Sequence, residues 1–190
     1  MLKALILSAF LLVTGYSQGV YYYYTPSTSG SDGSSGGVDP NSIPYKYYLL
    51  EFISWNSTTE ELAEFQLYDV TTGLPVEGSQ SQATEGLRLN NSTTATLSTD
   101  GGGTLANLQD NQFWTGWNAT DPTYVKVTFT NIPSNPVASY GITSGFAADR
   151  MCNTFKLYGS LDDATYVLLD ERAGVTTTLD SQWRVFIIGE

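Results

Sequence analysis

The chain has 190 residues, nineteen of them acidic and eight basic, with no histidine, one cysteine and a formal net charge of −11. That length suits one domain with appendages. The lack of histidine removes Ser-His and Cys-His nucleophiles and most zinc sites, and the acidity disfavours nucleic acid and anionic membrane surfaces, which require neutralised phosphates.

In chain order, the first feature is a secretion signal over residues 1–17. Lys3 supplies the positive start and Ala4 to Val13 is an apolar run broken only by Ser8. Gly15 and Ser17 stand as the small residues ahead of a cut before Gln18. The run is shorter than the roughly 20 apolar residues a spanning helix needs, so no membrane span is expected; a retained anchor is the alternative. Residues 18–44 then form an arm and a linker. The arm holds Tyr21, Tyr22, Tyr23 and Tyr24, uncharged and of high β propensity. The linker, Thr25 to Ser42, is Gly/Ser-rich and predicts a flexible tether. Such an arm suits strand addition to a neighbouring copy; packing on its own domain or disorder is the plainer alternative.

From Tyr45 to Glu190 the pattern is strand after strand. Tyr45 to Ile53 sets Tyr48, Leu50 and Phe52 on one face, and Glu64 to Tyr68 puts Phe65 and Leu67 inward. Tyr124 to Thr130 alternates cleanly, with Val125, Val127 and Phe129 buried. Val137 to Thr143 follows, then two strands around the acidic turn of "FKLYGSLDDATYVLLDER" (Phe155 to Arg172), then Trp183 to Ile188. Residues 70–111 read mostly as loop, and Thr59 to Phe65 as one helical turn at most. Short strands separated by Gly, Pro, Asn and Asp predict an all-β sandwich.

Secretion gives meaning to the Asn-x-Ser/Thr tripeptides at Asn56, Asn90, Asn91 and Asn118, candidate glycosylation sites on an extracellular or surface-associated protein. Adjacent Asn90 and Asn91 would rarely both be used. Cys152 is either a small buried hydrophobe or one half of an intermolecular disulfide.

The hairpin "FKLYGSLDDATYVLLDER" resembles the W-x-L-x-G-S-n-D-G-x-x-W-x-x-L hairpin of discoidin-like domains, the galactose-binding jelly-roll family that includes the C-type domain of coagulation factors. "NLQDNQFWTGW" (Asn107 to Trp117) resembles that family's A-x-D-G-x-x-x-T-x-W loop. Asp121 to Gly145 and "AADRMCNTFKLYGS" are similar to the stretches that lead to its hairpin. "YKYYLLEFI…LAEFQLYD" (Tyr45 to Asp69) resembles strands that usually close such a domain and here precede it. The resemblance covers about three quarters of the chain and implies a discoidin-like jelly roll with its closing strands displaced to the N-terminal side. The loop at Asp110 is shorter than the family's, with Asn111 where Gly is usual, and Tyr124, Phe155 and Tyr166 replace tryptophans.

That resemblance implies a structural Ca²⁺ on Asp110, Glu64 and oxygens at Asn111, a donor set of the kind calcium takes; Asp110 as a turn cap with Glu64 on a solvated face is the alternative. Glycan binding in the family stacks a loop aromatic on a sugar ring, which makes Trp117, Trp55 and Arg150 the eligible residues, while Trp114 matches a tryptophan usually in the core. Arg150 paired with Asp149 or Asp170 is the alternative for that residue. Asp162-Asp163 at the hairpin tip is expected to point apart into solvent, not to act as a catalytic pair. The expectation is a secreted, non-catalytic surface protein for glycan recognition or adhesion, with glycans or glycoproteins as partners. The alternative is a self-assembling subunit of an extracellular filament, matrix or virion coat, joined through its arm.

Overall fold

In the computed structural model the described residues are 22–23, 38–80 and 87–190. The signal segment, Tyr21, Tyr24 and most of the linker lie outside them. Ten strands follow one another: β1 (Tyr22–Tyr23), β2 (Tyr47–Trp55), β3 (Glu60–Tyr68), β4 (Ala95–Thr99), β5 (Trp117–Ala119), β6 (Tyr124–Phe129), β7 (Ser139–Ser144), β8 (Cys152–Ser160), β9 (Thr165–Arg172) and β10 (Trp183–Ile187). Two antiparallel sheets, of five and four strands, pack as a β-sandwich. Their orders are β9-β8-β2-β6-β4 and β10-β7-β3-β5, with β1 added in parallel outside β9. Among the described residues, no helix is long and apolar enough to cross a membrane.

The alternating strands bury the faces their sequences predict. Tyr48, Leu50 and Phe52 from β2 meet Val125, Val127 and Phe129 from β6, all at 7% exposure or less. Each such burial contributes roughly 1.5–3 kcal/mol. Aromatic pairs cross from sheet to sheet: Phe155 of β8 stands edge-on to Phe186 of β10 at 5.3 Å, and Phe52 lies 6.1 Å from Trp117 of β5. A polar bridge accompanies them. Tyr140 Oη on β7 donates to Asp170 Oδ2 on β9 at 2.6 Å, and Arg172 donates to the same oxygen and to Ile187 O on β10.

The hairpin closes as its sequence suggests. Asp162 Oδ1 accepts from the amides of Ala164 and Thr165 at 2.9 and 2.8 Å, while Asp163 turns away to Lys126 at 2.8 Å. One expectation needs correction. Thr59 to Phe65 contains no helical turn, because Glu60 onward pairs with β5 and β7. Residues 70–111 are mostly loop among the described residues, as expected, with Ala95–Thr99 added as an edge strand on β6. Its polar, half-exposed residues carry too weak an alternation to announce a strand; the ladder that β6 offers decides it.

Candidate functional site

The site grows from an irregularity in β3. Residues three apart on a regular strand face opposite ways, yet Leu62 and Phe65 both enter the core. A register shift between Leu62 and Glu64 reconciles them, an extra residue of the bulge type. It also brings Glu61 and Glu64 to the same non-core face, where loops cover them: Glu61 is 0% and Glu64 1% exposed.

Glu61 is fully compensated. Its Oε2 accepts from Arg150 Nη1 at 2.9 Å and its Oε1 from the Phe146 amide at 2.8 Å. Gly116 and Gly145 flank the carboxylate so closely that an added Cβ would meet it at 2.5 and 2.2 Å. Glycine is required there by space, and the result is a clamp that ties two loops to the start of β3.

Glu64 has no such cation. Its Oε2 accepts from Gln66 Nε2, while the Tyr68 hydroxyl donates to Gln66 Oε1, and its Oε1 accepts from the Gln112 amide at 2.7 Å. That same amide donates to Asp110 Oδ1 at 2.8 Å, and Thr115 Oγ1 donates to Asp110 Oδ2 at 2.6 Å. Burial first, then the Asp110 carboxylate beside it, push the Glu64 carboxyl up to about 8, against the hydrogen bonds from Gln66 and Gln112. Asn111 sits in the left-handed region at φ 60°, and its buried Oδ1 has no hydrogen-bond partner. The two carboxylates thus share the Gln112 amide, and the orphaned Asn111 oxygen belongs to the residue between Asp110 and Gln112; oxygens of this kind suit a hard cation. Among the described residues no three or more His, Cys, Asp or Glu are grouped so as to hold a metal ion, so amide or carbonyl oxygens and water would have to complete such a shell.

Three loops gather at this end. The 145–150 loop is bonded to the 176–182 loop through Ser181 N to Gly145 O and Ala148 N to Asp180 Oδ1. The 110–116 loop reaches the Glu61 carboxylate by the close approach of Gly116. They carry exposed apolar side chains: Trp114 at 48%, Phe146 at 55% and Leu179 at 61%. Phe113 braces Trp114 edge-on at 5.0 Å. At the opposite end of β3 an open cleft of about 490 Å³ is lined by Asp69, Thr93, Thr94 and the 130–135 turn. It presents no aromatic face, since Phe129 is only 3% exposed.

The sequence-predicted residues fall unevenly. Glu64 and Asp110 come together on the Gln112 amide, with Asn111 beside Asp110 in the chain. Trp117 is corrected from loop platform to core: it is fully buried on β5, and its Nε1 donates to Gly102 O. Trp114, expected in the core, is the exposed one. Trp55 ends β2 half-buried, 4.7 Å from Phe52. Arg150 pairs with Glu61, not with Asp149 or Asp170. Asn56 and Asn118 are exposed and Asn91 is partly so. Asn90 is fully buried, its Nδ2 donating to Phe65 O and its Oδ1 accepting from Leu67 N, which leaves no nitrogen for a glycan in the folded chain. Cys152 is a buried free thiol, pushed up in pKa by burial, and cannot meet a second chain's sulfur while the domain is closed. Glu61, Gly116 and Gly145 carry no sequence signal that marks them; only the bulge reveals their role. Searches against protein-family models, curated proteins and solved structures find no match.

Proposed function

We propose that the chain is a non-catalytic extracellular recognition protein, a discoidin-like jelly roll with its closing strands at the front, that binds glycans through the loop end of the sandwich. The observation that carries this reading is Trp114, an exposed indole braced by Phe113 on a loop whose root is held by buried groups. A stiff aromatic face beside polar loop atoms suits stacking on a sugar ring. Placement of β2 and β3 at inner positions of the two sheets supports the displaced-strand topology, because closing strands keep their neighbours when moved in sequence.

Ca²⁺ held by Glu64, Asp110 and Asn111 would add positive charge where two carboxylates face each other and would fix the loop below Trp114. Glu64 beside Asp110 has the raised pKa of an acid–base pair. Its near-complete burial keeps it from any substrate, which favours a structural role.

The test is a glycan array probed with the full chain and with Trp114→Ala. Binding to a restricted set of neutral glycans, weakened about tenfold or more in the variant with its fold intact, is expected from the loss of one stacking platform. Absence of any bound glycan, or binding indifferent to Trp114, overturns the reading.

A further inference from the structure

The outer face of the five-stranded sheet carries a second apolar cluster, separate from the core. Leu49, Tyr158 and Tyr166 are its buried centre, with Tyr47 and Tyr124 packed against it. Along the same hairpin Leu161 and Leu168 are 53% and 38% exposed. The charges on this face are paired locally, Lys126 with Asp163 at 2.8 Å and Lys156 with Glu171 at 3.3 Å. On a chain of net charge −11, such a balanced, tyrosine-rich patch is a place where two copies can approach without strong repulsion.

β9 borders this face as the edge of its antiparallel sheet. Among the described residues, the strand pairing on its outer side is that of Tyr22 with Thr165 and Tyr23 with Tyr166, in parallel. An edge strand offers its remaining N–H and C=O groups to any extended segment. A ladder this short is weak, since each hydrogen bond nets about 1 kcal/mol.

We propose that the outer edge of β9 is the docking site for the N-terminal tyrosine strand of a second copy of this chain, so that copies associate by exchanging arms. Residues 24–37, fourteen in number, join the arm to the domain. Fully extended they reach about 48 Å, beyond the roughly 38 Å width expected of a domain this size. The tether is thus long enough to place its strand on a neighbour. Exchange replaces each hydrogen bond by an identical one, the low-cost route to association. The arm brings no charge of its own, so the balance of the receiving face is undisturbed. This inference is independent of glycan binding.

The test uses full chains bearing single cysteines. Tyr22→Cys chains are mixed with Thr165→Cys chains under mild oxidation; Thr165 is exposed, and Cys152 is buried and silent. The expected result is a disulfide-linked dimer of the two different chains, at least about tenfold more abundant than with Glu171→Cys, which lies off register on the same strand. Samples of each variant alone set the background. A Tyr22→Cys/Thr165→Cys double variant that closes only within itself, with no mixed dimer at any concentration, overturns the proposal. So does failure of both cross-links, since the arm would then not occupy this edge at all.

Discussion

Glu61 and Glu64 are both buried on the same face of one strand, and the protein treats them in opposite ways. Around Glu61 the chain supplies everything: a guanidinium, a backbone amide and two glycines that make room. Around Glu64 it supplies neutral donors and a second carboxylate, and leaves the Asn111 Oδ1 unbonded. A buried carboxylate is costly unless paired and hydrogen-bonded. The first site is therefore closed, a brace for the loops; the second has no cation among its hydrogen-bond partners, and burial instead holds the Glu64 carboxyl up at about 8. Asp162 shows a third solution, an exposed carboxylate held by turn amides and drawn down to about 2 by the Thr165 and Ala164 amides.

Breaking the closed site has the largest expected effect. Arg150→Ala leaves Glu61 buried without its cation, held only by the Phe146 amide, and the urea midpoint should fall by the equivalent of about 3 kcal/mol, with an unchanged denaturant slope. A loss under about 1 kcal/mol, the scale of an exposed pair, would erase the contrast between the two sites. Next comes the open site. Calcium at 100 times its dissociation constant should stabilise the native chain by about 2.7 kcal/mol, read as a rise in melting temperature that EDTA reverses and Asp110→Asn abolishes. No calcium response in the native chain would remove the cation from the picture.

Glu64→Gln sharpens the comparison from the other side. An amide oxygen there can still accept from Gln112, so metal-free stability should change by less than about 1 kcal/mol, while any calcium response disappears. The smallest effect belongs to Asp162. Its folded pKa is depressed below the ordinary value near 3.8, so its stabilising contribution is complete above that value and is lost as pH falls through about 2. The stability difference between the native chain and Asp162→Asn should be constant from pH 5 to 7 and shrink between about pH 4 and 2. A difference that persists to pH 2 would mean that the turn does not depend on the carboxylate charge.

Legibility differed by element for physical reasons. The strands of β2, β6 and the β8–β9 hairpin announce themselves because one face of each meets the core, and a period of two records that directly. β4 does not, because an edge strand with one partner needs few apolar residues. The meeting of Glu64 and Asp110 was reachable through the family resemblance of their loop and strand, not through spacing, since the two lie far apart in sequence. Trp114 and Trp117 were assigned in reverse. Local pattern does not decide which tryptophan enters the core; pairing of Trp117 with Leu62 does. Asn90 satisfies a glycosylation tripeptide, yet the backbone of β3 occupies its amide.

By itself, the sequence determined that the chain would be built from short strands, that Tyr48, Leu50, Phe52, Val125, Val127 and Phe129 would form the interior, and that the 160–165 turn would be an acidic hairpin. These follow from local alternation and turn chemistry, which act over a few residues. Tertiary structure alone decided which tryptophan faces solvent, which carboxylate meets Arg150, and that Glu61 and Glu64 share a face. One extra residue in β3 reverses the facing of all that follows it, and its position is set by the strands on either side.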